Sequence, residues 1–390
     1  MKLTRIIHPV GQGAFYTETL YNDNTESFNM VYDCGTLTSY KIKKTKKNII
    51  ESRVDCYLDN LKTEQKKEQP EIDAIFISHL HEDHINGIDY LMKNAEVKYL
   101  FLPQLIDESI IEAYLYNYIS TGKTDNVGNN LLSLLITNTE IYSYKDKNFK
   151  TQIKYVPIIE KNNSISNNKN FIVAVNYSNK NKKFIINIEN SIHNNLNKFL
   201  YIPYNLNIQN MSSIFINKFI EKLQELYDKD KNFKNNLQKI GINKENLRDI
   251  FINLNLKKFN LLKIIVENIG IKKCKEIYIN LLGEDQHSYS MPLFSGIQNT
   301  PINVSLINKK CCCLKNFCYR KNCYINNPNC LYMGDFKSIE YFDDLKNFYT
   351  NLNLWNTIKT IQVPHHCSRK NYHSDLYSNI YSCFISVGIK

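Results

Sequence analysis

The chain has 390 residues, long for one ordinary domain, and can bury a sizeable core either as one α/β sandwich with a large insertion or as two domains. Its 43% hydrophobic and 12% aromatic content excludes general disorder, and the lack of any apolar run of about 18 residues excludes a membrane-spanning helix. The formal charge of +11 invites a nucleic-acid partner, but Lys, Asn and Ile abound throughout and the charges are spread rather than gathered in one stripe.

The start, Met1-Lys2-Leu3-Thr4-Arg5-Ile6-Ile7-His8-Pro9, lacks the apolar stretch of a secretory signal, so a cytoplasmic protein without membrane contact is expected. Leu3 to His8 predicts a strand, followed by the turn Gly11-Gln12-Gly13. Phe28 to Tyr32 is a short apolar run that stops at Asp33-Cys34-Gly35. Ile72 to Ile77 predicts a buried strand ending at Ser78-His79, and Tyr99 to Leu102 a fourth, stopped by Pro103. Strands that end in polar, glycine-bearing loops are what the active-site edge of an α/β fold requires. Phe171 to Val175 and Phe184 to Ile188 are also strand-like. The period then changes: Phe215, Phe219, Ile220, Leu223 and Leu226 recur at helical spacing, as do Leu261, Leu262, Ile265 and Ile269. A helical insertion over 206–284 is therefore expected inside a β-rich domain made of 1–205 and 285–390. Strand character returns at Tyr289 to Phe294, Leu331 to Met333, Thr360 to Val363 and Phe384 to Val387.

The segment Ile75-Phe76-Ile77-Ser78-His79-Leu80-His81-Glu82-Asp83-His84 carries the functional argument. Three histidines and an aspartate lie within six positions, directly after an apolar strand. A lone histidine is more often a satisfied core or surface residue, but four ligand-type side chains at this spacing are hard to explain that way. Imidazole nitrogens and a carboxylate suit zinc, manganese or iron. An extended loop lets His79 and His81 point the same way while Asp83 and His84 turn toward a second metal.

These residues match the HxHxDH signature of the metallo-β-lactamase superfamily, and the chain resembles that superfamily in other elements that fall in its order. Asp33-Cys34-Gly35 resembles its early Asp-x-Gly element, Leu331-Tyr332-Met333-Gly334-Asp335 its strand-then-Gly-Asp element, and Val363-Pro364-His365-His366-Cys367-Ser368 its final histidine element. The resemblance covers roughly residues 1 to 200 and 285 to 390. Within the superfamily the chain is similar to the ComEC-like branch, through Val10-Gly11-Gln12-Gly13, through His365-His366-Cys367-Ser368, and through Ser290 in His287-Ser288-Tyr289-Ser290-Met291. His8 to Phe15 with Tyr32 to Gly35 also resembles metallo-hydrolases of bacterial anti-phage systems, such as the hydrolase component of type 1 AVAST systems.

The resemblance implies an α/β fold, an αββα sandwich of the metallo-β-lactamase type, here with the helical insertion and a Cys-rich hairpin insertion. It implies one or two divalent metals, zinc or manganese, that activate water for hydrolysis. His79 and His81 would hold the first metal. Asp83, His84 and either His365 or His366 would hold the second, with Asp335 between them and Asp33 orienting a ligand histidine from behind. Asp83 and Asp335 are thus the residues closest to the chemistry. Three departures stand out. Cys367 replaces the glycine of the family's HHGS element. No third histidine for the first metal is evident, His287 and His193 being candidates that could equally be surface residues. The chain stops at Val387-Gly388-Ile389-Lys390, where ComEC-like relatives continue through a further histidine-bearing loop, so it is read as naturally short or truncated. Ser368 and His373 are candidate substrate contacts, with a solvated loop as the alternative.

There are 11 cysteines, and six of them lie between Cys311 and Cys330. Without an export signal such clustering argues for metal more than for disulfides. An insertion over 309–330, held by a structural zinc through Cys313, Cys318, Cys323 and Cys330, is expected, with reactive or disulfide-forming thiols as the alternative.

The function expected from these elements is a metal-dependent phosphodiesterase or nuclease acting on a nucleic acid or nucleotide, in anti-phage defence. Hydrolysis of a small ester, a lactam or a phosphocholine substrate is a second expectation, and a metal-stabilised sensor or binding subunit a third. The helical insertion is either a cap over the sandwich, a lid that gates substrate, or a docking surface for a partner protein.

Overall fold

Two sheets organise the strands. The first holds β1 (Lys2–Ile7), β2 (Phe15–Asn22), β3 (Glu26–Cys34), β4 (Glu71–Phe76), β5 (Glu96–Pro103), β6 (Ile141–Ser143), β7 (Lys150–Val156) and β12 (Ser305–Leu306), in the order β12-β1-β2-β3-β4-β5-β7-β6. The second holds β8 (Ile172–Ser178), β9 (Lys183–Glu189), β10 (Phe199–Pro203), β11 (Leu293–Gly296), β13 (Cys330–Tyr332), β14 (Thr360–Gln362) and β15 (Ser382–Phe384), in the order β15-β14-β13-β11-β10-β8-β9. The computed structural model describes residues 1–22, 26–38, 48–143, 149–159, 170–181, 183–190, 198–206, 209–282, 290–298, 305–306, 328–364, 371, 373–378, 380 and 382–384. No helix among them is long and apolar enough to cross a membrane.

Strand alternation builds the layers. Met30, Tyr32, Ala74, Phe76 and Phe101 of the first sheet pack against Val173, Val175, Tyr201 and Tyr332 of the second. Their neighbours Val31, Ile75 and Leu100 face the opposite way, onto helices α1 (Ile49–Gln65), α3 (Ile88–Asn94), α4 (Asp107–Thr121) and α5 (Val127–Thr137). On the outer face of the second sheet Leu200, Phe294, Leu331 and Ile361 lie under α10 (Ser338–Asn351). The result is the αββα sandwich expected above.

Between the sheets runs one buried polar network. Arg5 Nε donates to Glu18 Oε1 at 2.6 Å, and Glu18 also accepts from Tyr332 at 2.8 Å, Ser295 at 2.6 Å and Tyr201 at 3.1 Å. These residues come from β1, β2, β13, β11 and β10, so the network ties the two sheets together.

Residues 209–282 form α6 (Gln209–Lys229), α7 (Lys231–Lys239), α8 (Leu256–Ile269) and α9 (Ile271–Leu282). Asp230 accepts from the backbone of Asn232 and Phe233 to start α7, and Asn255 accepts from Lys258 to start α8. Their apolar faces do not form a separate core. α6 and α9 pack on α4, and α8 on α5, so Phe219, Leu223, Leu262 and Ile265 join the apolar cluster that covers the first sheet.

Several sequence expectations change. Three helices lie in stretches to which the sequence reading assigns no element, α1 between β3 and β4, and α4 and α5 after β5. Helix α1 carries its signal openly, with Ile50, Val54, Tyr57, Leu58 and Leu61 buried at helical spacing and a capping box made by Asn48 and Glu51. Helix α4 hides its signal because the sheet and the insertion bury it on nearly every side, Ser109 to Leu115 included. The strand expected at Tyr289 to Phe294 is found at Leu293–Gly296, and Phe384 ends β15, while 385–387 lie outside the described residues.

Candidate metal centre

The site forms where β4 leaves the sheet. From Ile77 the chain runs through Ser78-His79-Leu80-His81 into one helical turn, α2 (Glu82–Ile85). Two N-terminal turns support this loop from below. Ala14 N donates to the Asp83 carbonyl at 3.1 Å, and Gly35 N to the Ala14 carbonyl at 2.8 Å. Gly13 is required by contact as well as by its φ of +153°: a Cβ there would stand 2.3 Å from the Gly35 carbonyl oxygen and 2.8 Å from that of Asp83. The Val10-Gly11-Gln12-Gly13 turn thus has a physical role as the floor of the loop.

Asp33 locks the loop from within. Its backbone sits in the left-handed region at φ 56°, uncommon for a side chain other than Gly or Asn. That geometry aims its buried carboxylate at three donors, the backbone N–H of Ser78 at 2.7 Å, the Ser78 hydroxyl at 2.7 Å and His84 Nδ1 at 2.8 Å. The Ser78 hydroxyl also lies 2.9 Å from His79 Nδ1. Both histidines therefore have Nδ1 engaged behind the loop and present Nε2 forward.

Asp335 meets them from the second sheet. His84 Nε2 lies 3.2 Å from Asp335 Oδ1, and His79 Nε2 3.9 Å from Oδ2, so each carboxylate oxygen faces a different histidine. The turn that carries Asp335 is held by Gln362 Oε1, which accepts from Met333 N at 3.0 Å and Gly334 N at 3.1 Å, and by Ser290 Oγ, which accepts from Asp335 N at 2.8 Å. Gly334 has φ +53°, and a Cβ there would fall 2.1 Å from Ser290 Oγ.

The potential ligand atoms of His79, Asp83 and His84 all lie within 4.8 Å of one another, and all three residues are buried. His81, also buried, lies beside this group with its ring 4.6 Å from that of His79. On His84, burial works against the charged ring, but the carboxylates of Asp335, Asp33 and Asp83 outweigh it and hold the imidazolium well above the usual histidine range. A pocket that gathers buried imidazoles with Asp83 and Asp335 fits a divalent cation, since the acids supply charge and the imidazoles supply nitrogen.

The other candidates are placed differently. His193, His287, His365, His366, Cys367 and Ser368 lie outside the described residues, as do Cys313, Cys318 and Cys323. Cys330 packs in the core between the sheets, and burial pushes its thiol up to about 12. His373 stacks on Phe342 at 4.1 Å and accepts from Asp375 N to start a short helical turn, so it serves local packing. Sequence reasoning passed over Ser78, Gln362 and Tyr116. The Tyr116 ring, on α4, stacks on His81 with centroids 3.9 Å apart. Ser78 was detectable as the residue between a strand and the first histidine, whereas Tyr116 carries no local signal.

A family model described as Anti-Pycsar protein Apyc1 matches residues 6–192, the stretch that carries Asp33 and His79 to His84. Ribonuclease J of Mycoplasma genitalium (strain ATCC 33530 / DSM 19775 / NCTC 10195 / G37) is 27% identical over 82 residues, 21% of this chain and 13% of the ribonuclease. The matched segment is thus a small part of that relative's length. Among solved structures, metallo-β-lactamase SMB-1 bound to 2-mercaptoethanesulfonate is similar at 11% identity and a TM-score of 0.19, covering 54% of this chain and 60% of that one. MEM-A1, a subclass B3 metallo-β-lactamase isolated from a soil metagenome library, is similar at 9% identity and a TM-score of 0.19, covering 52% of this chain and 58% of that one.

Proposed function

We propose that the chain is a metal-dependent hydrolase that cleaves phosphodiester bonds in a nucleic acid or nucleotide. The observation that carries this reading is the convergence of His79 Nε2 and His84 Nε2 on the two oxygens of Asp335, with Asp33 bracing His84 from behind. His79 and His81 would hold one divalent metal. Asp83, His84 and a histidine of the His365-His366 pair would hold a second, with Asp335 shared. Zinc or manganese so bound lowers the pKa of water and stabilises negative charge on a phosphoryl oxygen.

The chain's own residues prepare the site for this. Asp33 accepts a hydrogen bond from Nδ1–H of His84, so Nε2 is the nitrogen left to face a cation, and the Ser78 hydroxyl engages Nδ1 of His79 in the same way. Buried Asp83 and Asp335 supply the negative charge that a cation neutralises. The phosphodiester substrate class is supported by the likeness to a ribonuclease and by the ComEC-like turn at Val10 to Gly13, whose glycine lies against the Asp83 carbonyl. A setting in the conflict between phage and host rests on the anti-phage resemblance and on the name of the matching family. A separate structural zinc on Cys313, Cys318, Cys323 and Cys330 is part of the proposal.

The test pairs metal analysis with turnover. Purified protein should contain divalent metal and hydrolyse bis-p-nitrophenyl phosphate, plasmid DNA or cyclic dinucleotides with added manganese or zinc. Asp83→Ala with His84→Ala should lose both metal and turnover while keeping its circular dichroism. Full metal content in that double variant would sink the assignment.

A second reading is a metal-stabilised sensor, in which the loop holds metal without turning over a substrate. Among the described residues the other histidines are His8 and His373, both engaged in packing, so none completes a His79–His81 site. Bound metal without turnover of any of the three substrates would favour it.

A further inference from the structure

The wall of the site opposite Asp33 comes from α4, and it has an unusual profile. From Ser109 to Tyr118 every residue is buried except Tyr116, which is partly exposed. That residue packs on the metal loop. Its ring stacks on His81 at 3.9 Å with 25° between the planes, its hydroxyl has Ser120, one turn further along α4, as a hydrogen-bond partner, and burial, with the carboxylates of Asp83 and Asp335, pushes its phenol up. A partly exposed aromatic on an otherwise buried helix, stacked on His81, stands where solvent can reach the edge of the metal loop.

Helix α4 is also held rigidly at this point. Asn117 Nδ2 donates to the Leu80 carbonyl at 2.8 Å, which pins the helix to the residue between His79 and His81. One turn earlier, Glu112 accepts from Tyr278 of α9 at 2.9 Å, and the Tyr278 ring packs 6.3 Å from that of Tyr116. The helical insertion thus braces the helix that presents Tyr116.

We infer that Tyr116 is a substrate-contacting residue, whose hydroxyl donates a hydrogen bond to an anionic phosphoryl oxygen of the substrate while its ring fixes the orientation of His81. This rests on the phosphodiesterase reading for the identity of the substrate, but its first readout does not. A phenol is a neutral donor at ordinary pH, so it can approach an oxyanion beside carboxylates without adding a charge that competes with the metal. A hydrogen bond to an ionised acceptor is stronger than a neutral one, and its loss is read as about a tenfold change in affinity.

The test uses manganese-loaded full-length protein, with inorganic phosphate as the probe in calorimetry and bis-p-nitrophenyl phosphate as the substrate. Tyr116→Phe keeps the ring and so should keep full metal content, while phosphate affinity falls about tenfold and kcat falls with it. Tyr116→Ala removes the ring as well and should further weaken metal binding through His81. Phosphate affinity and kcat of Tyr116→Phe equal to those of the unaltered protein would overturn the inference, as would failure of the metal-loaded unaltered protein to bind phosphate. Phosphate binding that depends on Tyr116, without phosphodiester turnover, would overturn the functional reading and leave this one standing.

Discussion

At the scale of single residues, the same side-chain type does opposite work in different places. His84 is buried among Asp33, Asp83 and Asp335 and is held charged when no cation is bound. His8 is buried between Phe15 and Tyr57, with its Nε2 3.0 Å from the Thr17 hydroxyl. There burial, with some repulsion from Arg53, lowers its pKa from the usual 6.5 to about 3. The sign of the linkage follows. Below pH 6.5 the unfolded chain takes a proton at His8 that the folded chain refuses until about pH 3. Acid therefore favours unfolding, at about 1.4 kcal/mol per pH unit from this group. His8→Gln should flatten the fall in urea-unfolding stability between pH 6 and pH 4 by about that slope. An unchanged slope would show that His8 is protonated in the folded protein.

At the scale of elements, the sandwich relies on more than apolar contact. Arg5 and Glu18 sit directly across β1 and β2 and receive hydroxyls from three strands of the other sheet. Glu18 is fully buried, and the Arg5 side chain is 7% exposed. A buried pair of this kind adds little over an apolar replacement, but breaking it strands the remaining charge at a cost of about 3–5 kcal/mol. Glu18→Gln should lower the free energy of urea unfolding by that much, and a loss below about 1 kcal/mol would mean that water reaches Arg5. Several of these elements were legible in sequence. The strands at Ile72–Ile77 and Leu331–Met333 declared themselves as apolar runs stopped by polar residues. Strand β2 did not, because Phe15 to Leu20 is buried on both faces and includes Glu18 and Thr19, so no alternation marks it.

At the scale of the whole molecule, the insertion and the sandwich share one core. Leu223 and Ile265 belong to the same apolar cluster as Ile75 and Leu100, with α4 and α5 between them. A helical unit that merely hung from the fold would unfold by itself. Here the two should melt together. The single tryptophan, Trp355, reports on the far layer through its contact with Phe342, whereas circular dichroism reports largely on the helices. The two signals should therefore show coincident transitions in urea. Loss of helix ahead of the tryptophan change would show the insertion to be an independent unit.

Sequence alone determined the loop from His79 to His84, because its ligand-type residues are packed into six positions and that spacing is visible without a fold. It also determined the broad order of β-rich, helical and β-rich segments, since periodicity is a local property. What it left open depended on distance along the chain. Asp335 reaches His79 and His84 only because β13 of the second sheet ends over the loop that follows β4 of the first. Tyr116 reaches His81 only because α4 packs on that loop, where Asn117 is bonded to the Leu80 carbonyl. Cys330, grouped by sequence with a cysteine cluster, lies in the sheet core because its neighbours pair with β11 and β14. In each case the deciding contact is between residues far apart in sequence, and only the packing of layers sets which of them meet.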